Sequence, residues 1–321
     1  MKLNVITGLP RSGSTLLCNI LNQNPAFHAT STSTLPQYVG TCINIWSSSF
    51  EIKGDLAQDR AATEKRLENS LRGFCLSWHA DHQGQTVFDK SRGWAHNLLA
   101  LRQVFPESKV LVTIRDLRNI FASVEKQHRK YPLFDSANGS IEKTIYSRAD
   151  NMFAPKGLIG GPLEGVQDIM RRKLDALFIK FEQLAKFPEQ VMREVYQYLE
   201  EDYYPHDFTN VVNTATELDA LYNYKFPHEG SGKVKPTDPN EWVKFMNQEL
   251  ADIIMNRFPL YNNFFGYSQP QQPKPTNFAA TTPSQPQIQA QPQAQPTNYP
   301  SQISNTYPQQ EGPTGPANPS L

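Results

Sequence analysis

The run Gly8-Leu9-Pro10-Arg11-Ser12-Gly13-Ser14-Thr15 follows an apolar stretch, Leu3 to Ile6, and opens a helical pattern, Leu16 to Leu21. Strand, glycine-bearing turn and helix in that order make a phosphate cradle, because backbone N–H groups and a helix N-terminus point at the same anion. A loop built for a nucleoside triphosphate with magnesium carries Lys straight after its last glycine, to reach the outer phosphates. Here that position is Ser14, and the cation, Arg11, stands ahead of Gly13. The expected ligand is therefore a phosphate-bearing molecule of another kind.

Two further polar clusters end apolar runs. Asp89-Lys90-Ser91-Arg92 follows Thr86 to Phe88, and Arg115-Asp116-Leu117-Arg118 follows Lys109 to Ile114, with Ser123 one helical stretch further on. Taken singly, a cation after a strand is a solvated loop residue, Ser123 an exposed hydroxyl and Asp89 a helix cap. Taken together, three strand ends out of three present a cation or a phosphate loop. Ligands of open parallel sheets collect at those ends.

The elements that must position these residues alternate β-branched runs with helical patterns: Leu3 to Ile6 then Leu16 to Leu21, Thr86 to Phe88 then Trp94 to Val104, and Lys109 to Ile114 then Ile120 to His128. Such alternation predicts an α/β fold, a single domain with a central parallel sheet flanked by helices. Short runs without polar alternation, such as Val110-Leu111-Val112, fit strands buried on both faces, and Ala176 to Phe181 reads as a further strand. Longer helices are expected over Leu56 to Trp78, Ile141 to Ile169, Glu189 to Leu199 and Glu241 to Asn256, the last introduced by Asp238-Pro239.

The 31 basic and 31 acidic residues of the 321-residue chain balance, which points to neither nucleic acid nor an anionic membrane surface as partner. Cys18, Cys42 and Cys75 show no paired spacing, so neither a disulfide framework nor a thiolate metal site is expected. With no signal-peptide pattern and no apolar stretch near the ~20 residues that span a bilayer, a cytoplasmic protein is expected. From Ser268 onward Lys274 and Glu311 are the only charged residues, and the segment holds twelve of the 25 prolines. Residues 1–267 thus read as the folded domain and 268–321 as a disordered Pro/Gln-rich tail, a passive extension whose Pro and Tyr positions are open to a protein partner.

Gly8 to Leu17 resembles the 5′-phosphosulfate loop of sulfotransferases that use 3′-phosphoadenosine 5′-phosphosulfate (PAPS), and Val112-Thr113-Ile114-Arg115-Asp116-Leu117-Arg118 with Ser123 resembles their 3′-phosphate loop. Phe88-Asp89-Lys90, Phe181-Glu182-Gln183-Leu184 and Val234-Lys235-Pro236 are similar to later elements of the same family, nearest in flavour to the tyrosylprotein and carbohydrate enzymes. The resemblance implies a P-loop NTPase-like fold, with PAPS as co-substrate and no metal. It implies that Arg11, Ser12, Gly13, Ser14 and Thr15 hold the phosphosulfate, that Arg115 and Ser123 hold the 3′-phosphate, and that Lys235 closes over the cofactor. Lys90 and Arg11 become the cations that stabilise sulfuryl transfer to a hydroxyl or amine acceptor, carbohydrate, peptide or small molecule.

The base for the acceptor's proton departs from the family pattern. Tyrosylprotein enzymes carry a Glu after the second strand, and the matching stretch Phe27 to Thr34 has no carboxylate. His28 lies in it and is the first candidate, with His79, His96 and Asp89 as others; the Ser/Thr run itself reads as an acceptor contact or as the loop capping a helix near Leu35. Two other functions remain open at this level. One is a small-molecule or nucleotide kinase with Thr15 and Asp89 on magnesium. The other is a nucleotide-binding scaffold without catalysis.

Overall fold

Leu3, Val5 and Ile6 are all sealed from solvent although successive side chains of a strand point to opposite faces, so the strand they form must be covered on both sides. The computed structural model, which describes residues 1–130, 144–217 and 230–268, places them in β1 (Lys2–Gly8). Around it lie β2 (Phe27–Thr32), β3 (Thr86–Lys90), β4 (Val110–Ile114) and β5 (Leu177–Lys180), in the order β2-β3-β1-β4-β5 with every pair parallel. The first connection carries the chain two places to one side of β1, and the connection leaving β4 runs to the other side. The crevice between the carboxyl ends of β1 and β4 is the switch point where such sheets bind ligands.

On one face Leu3, Val5, Val87, Val110 and Val112 pack under α2 (Leu35–Ser48), α4 (Arg60–Trp78), α5 (Trp94–Val104), α6 (Leu117–Lys130), α7 (Ile145–Phe153) and α8 (Gly160–Arg172). On the other, Ile6, Phe88, Leu111 and Ile179 meet α1 (Ser14–Leu21), α9 (Phe181–Lys186) and α10 (Pro188–Leu199). The parallel sheet and its flanking helices are those expected from the alternation of patterns.

Three expected helices are divided, each for a local reason. The stretch Leu56 to Trp78 breaks at Asp59, which ends α3 (Phe50–Gln58) and caps α4 by accepting from the Ala62 N–H at 3.0 Å. Of Ile141 to Ile169, residues 141–143 lie outside the described residues; the rest splits between α7 and α8, where Ala154 is extended (ψ 157°) because it precedes Pro155. Glu241 to Asn256 becomes a short 3-10 turn, Glu241–Lys244, followed by α11 (Gln248–Arg257) with Asn247 as its cap. Asp238 closes a local turn onto the Asn240 N–H instead. The Pro/Gln-rich segment, from 269 on, lies outside the described residues.

After α12 (Pro259–Phe264) the chain closes onto the turn that leaves β4. The fully buried Tyr261 hydroxyl donates to the Arg115 carbonyl at 2.8 Å and accepts from the Arg115 N–H at 3.2 Å. Glu182 accepts from the Asp116 N–H and from the Tyr267 hydroxyl, and Arg118 forks onto Asp116. Tyr261→Phe strands the backbone N–H and carbonyl of buried Arg115, so it is expected to lower the unfolding free energy by ~1–3 kcal/mol. Urea unfolding checks this, and an unchanged midpoint contradicts the clamp.

Candidate functional site

Gly8 ends β1 with φ 133°, and a Cβ there would lie 2.1 Å from the Thr113 carbonyl oxygen, so the chain can turn this close to β4 only as glycine. Arg11 takes the left-handed conformation at φ 57°, a strained state for a residue with a side chain. Gly13, also left-handed, begins α1; a Cβ on it would strike the Phe181 ring at 2.5 Å. The helix start carries no side-chain cap and no acid in its first turn. Its first N–H groups have no partner within the helix and are set to receive an anion.

Around this loop lies a cavity of about 490 Å³. Of the residues expected at the site, Arg11, Gly13, Ser14, Thr15, Lys90, Arg115 and Lys235 line it. Among the described residues of its lining, Arg11, Lys90, Arg92, Arg115, Lys233 and Lys235 are cationic and Glu217 is a carboxylate. The average charge of the chain gave no sign of this clustering of cations.

The remaining expected residues fall elsewhere. The Ser12 hydroxyl is buried, donating to the Leu9 carbonyl at 2.5 Å and sharing a proton with Thr113 Oγ1 at 2.7 Å, so it staples the loop to β4 rather than facing the cavity. Ser123 also lies outside the lining, but its Oγ accepts from Arg11 Nε at 3.1 Å. Arg11, expected at the first anion position, thus reaches toward the second. His28 does not line the cavity: it sits partway along β2, stacked on His82 with ring centroids 3.4 Å apart, and burial followed by the charges of His82 and His79 pushes it down to about 4. His79 and Asp89 form a buried pair at 3.0 Å, with Asp89 also accepting from the Trp94 indole, and His96 meets the Gly161 carbonyl. The strand period explains this, because Asp89 and Lys90 point to opposite faces of β3.

Arg115 packs its guanidinium over the Phe181 ring at 4.5 Å and donates from one terminal nitrogen to the Arg11 carbonyl at 3.0 Å, while its buried Nε has no hydrogen-bond partner. Burial pushes its pKa down, and the Glu182 carboxylate opposes that shift. Such an orphaned donor on a buried cation is costly unless an anion completes it. Lys90, buried at the end of β3, donates to Thr15 Oγ1 at 3.2 Å and pairs with Glu217. The two cation groups flank β1 from β3 and β4.

Sequence reasoning missed Glu217 and the role of Phe181. The aromatic ring at 181 closes the floor under Gly13 and Arg115, which the family-like segment around it did not reveal. Glu217 lies 127 residues from Lys90 in a stretch without motif or periodicity, and only the tertiary fold brings it in.

A protein-family model described as Sulfotransferase family matches residues 5–205. Protein-tyrosine sulfotransferase 1 of Danio rerio is 23% identical over 205 residues, which cover 62% of this chain and 53% of that protein, so the match spans about half the relative's length. Similar solved structures include the sulfotransferase domain of the Synechococcus PCC 7002 olefin synthase, at 17% identity and TM-score 0.47, covering 84% of this chain and 96% of that one. Another is a mouse sulfotransferase complexed with PAP, at 13% identity and TM-score 0.45, covering 83% and 85%. Among the described residues no helix is long and apolar enough to cross a membrane. The family match runs from β1 through all five strands and includes the glycine turn before α1 and the turn after β4: the chain belongs to the sulfotransferase family.

Proposed function

We propose that this protein transfers a sulfuryl group from PAPS to a hydroxyl or amine of an acceptor. The observation that carries the reading is the pair of cation groups at the carboxyl ends of strands flanking β1. One, at the uncapped start of α1, holds Lys90 and Thr15; the other holds Arg115 with its orphaned buried Nε. A nucleotide with a phosphosulfate at one end and a 3′-phosphate at the other fits both.

PAPS brings an activated sulfuryl group on a phosphate leaving group. The first-turn N–H groups of α1, with Ser14 and Thr15, suit the phosphosulfate. Arg115 suits the 3′-phosphate, because a planar fork of donors matches a terminal phosphate and Phe181 keeps that fork flat and dry. Arg11, tied to Ser123 and through its carbonyl to Arg115, stands between the two. Lys90 is the compact cation for charge that develops on the bridging oxygen. Lys235 and Lys233 add positive charge from the 230–237 segment, which Gly232 pairs to Val211. Residues 1–267 carry this chemistry. A cytoplasmic setting is supported by three free cysteines, Cys18 and Cys75 being buried thiols pushed up to about 11 and about 12.

Calorimetry against adenosine 3′,5′-bisphosphate (PAP) and against ATP with magnesium tests the assignment. PAP should bind without metal, and binding of ATP only with magnesium, with no response to PAP, would overturn it in favour of a kinase. Arg115→Ala should cost ~1.5–3 kcal/mol of PAP affinity, the worth of a charged hydrogen bond, or roughly 10- to 150-fold in Kd. Lys90→Ala should lose turnover and also affinity, since it leaves the Glu217 carboxylate alone where an anion must bind. Adding Glu217→Gln to Lys90→Ala is expected to restore affinity without restoring turnover. Recovery of both would mean that Lys90 serves only to neutralise its partner.

A further inference from the structure

Resting on the cofactor reading above, we propose that Glu217 is the group that takes the acceptor's proton. Among the described residues that line the cavity it is the only carboxylate, and no histidine lines it. Its side chain is 7% exposed and is held from both ends. Oε2 accepts from the Thr32 N–H at 3.2 Å; Oε1 meets the Lys90 ammonium and, at 3.5 Å, the Thr15 hydroxyl. Thr32 and Lys90 are register partners at the carboxyl ends of β2 and β3, so the carboxylate bridges two strand ends directly beside the start of α1. This is the neighbourhood of the second strand, where residues Phe27 to Thr34 themselves supply no carboxylate. The group arrives from a segment beyond the residues that the family model matches.

The backbone that delivers Glu217 is anchored rather than loose. Asn19 of α1, itself buried, accepts through Oδ1 from the N–H groups of Thr214 (3.0 Å) and Ala215 (2.8 Å), and Asn22 donates to Thr214 Oγ1. Ala215 packs into the core beneath α1.

In the structure described here the Glu217 carboxylate faces the Lys90 ammonium. Phosphosulfate oxygens bound at the start of α1 would compete for that ammonium and leave the carboxylate facing the acceptor. In the step itself the acceptor's O–H proton passes to a Glu217 carboxylate oxygen as the acceptor oxygen forms its bond to sulfur. The bond from sulfur to the bridging oxygen breaks, and its electron pair stays on that oxygen as the 5′-phosphate of PAP beside Lys90. Protonated Glu217 then returns the proton to water, so one sulfate ester, one PAP and one proton leave.

The test compares wild type with Glu217→Gln and Glu217→Asp in the full chain. Each is measured for PAP binding by calorimetry, for release of labelled sulfate from PAPS with water as acceptor, and for transfer to a panel of phenols, tyrosine peptides and monosaccharides. Glu217→Gln should bind PAP within about threefold of wild type, or more tightly, while its kcat falls by about 100-fold or more, with no rise in KM for PAPS and loss of the acid limb of the kcat–pH profile. Glu217→Asp should keep that limb with partial activity. If Glu217→Gln turns over within about threefold of wild type, Glu217 is a counter-ion for Lys90 and the proposal is overturned. Wild-type protein that binds PAP yet releases sulfate to neither water nor any acceptor overturns it as well. Failure of wild type to bind PAP would sink the cofactor reading first, a result separable from either.

Discussion

Like charges crowded into a dry cleft repel one another, and the site depends on how the fold contains that repulsion. Two unit charges 4 Å apart interact by roughly 4 kcal/mol at the effective dielectric of a protein surface. Arg11, Lys90 and Arg115 share a cavity in which Lys90 and Arg115 are buried. Each is countered differently. Lys90 has a carboxylate, Arg115 has an aromatic face and a backbone carbonyl, and Arg11 has a hydroxyl and a strained turn that sets its direction. Several supports outside the cavity make sense in this light, above all Tyr261, which holds Arg115 at both its backbone N–H and its carbonyl.

The architecture was legible because its signals are local. Val110 to Ile114 is buried at every position and reads as a two-faced strand without knowledge of its neighbours. The glycine turn before α1 is similarly readable, since close approach to Thr113 admits no side chain at position 8. The helix ends were less so. Asp59 is a strong cap inside a continuous helical pattern, and Pro155 interrupts another; both signals were present in the sequence but weaker than the periodicity around them.

The site divides along the same line. Arg115 and Lys90 line the cavity because one directly follows β4 and the other ends β3, where geometry fixes the direction of the side chain. Ser12 was placed at the anion from its position in the motif, yet its hydroxyl turns inward, a choice between two rotamers that spacing does not report. His28 sits in the matching stretch but four residues short of the strand end, which in a sheet is a distance of roughly 13 Å and the difference between cavity and wall. Glu217 carried no signal because its described contacts, with Thr15, Thr32 and Lys90, are all long-range. A carboxylate in an irregular stretch looks like any solvated surface residue until the chain is folded.

Asn19 ties these distances to one frame. Its side chain holds Thr214 and Ala215 through Oδ1 and donates to the Gly230 carbonyl through Nδ2, so a single amide on α1 fastens both segments that reach the cleft from the far end of the chain. The same helix carries the glycine turn at its start. A small displacement of α1 therefore carries the cradle and the carboxylate together and leaves their separation nearly unchanged. Reactions of this kind are sensitive to ångström errors in relative placement and indifferent to shared translation. The first helix thus acts as a common ruler for groups two hundred residues apart, and it does so through a residue that does not itself line the cleft.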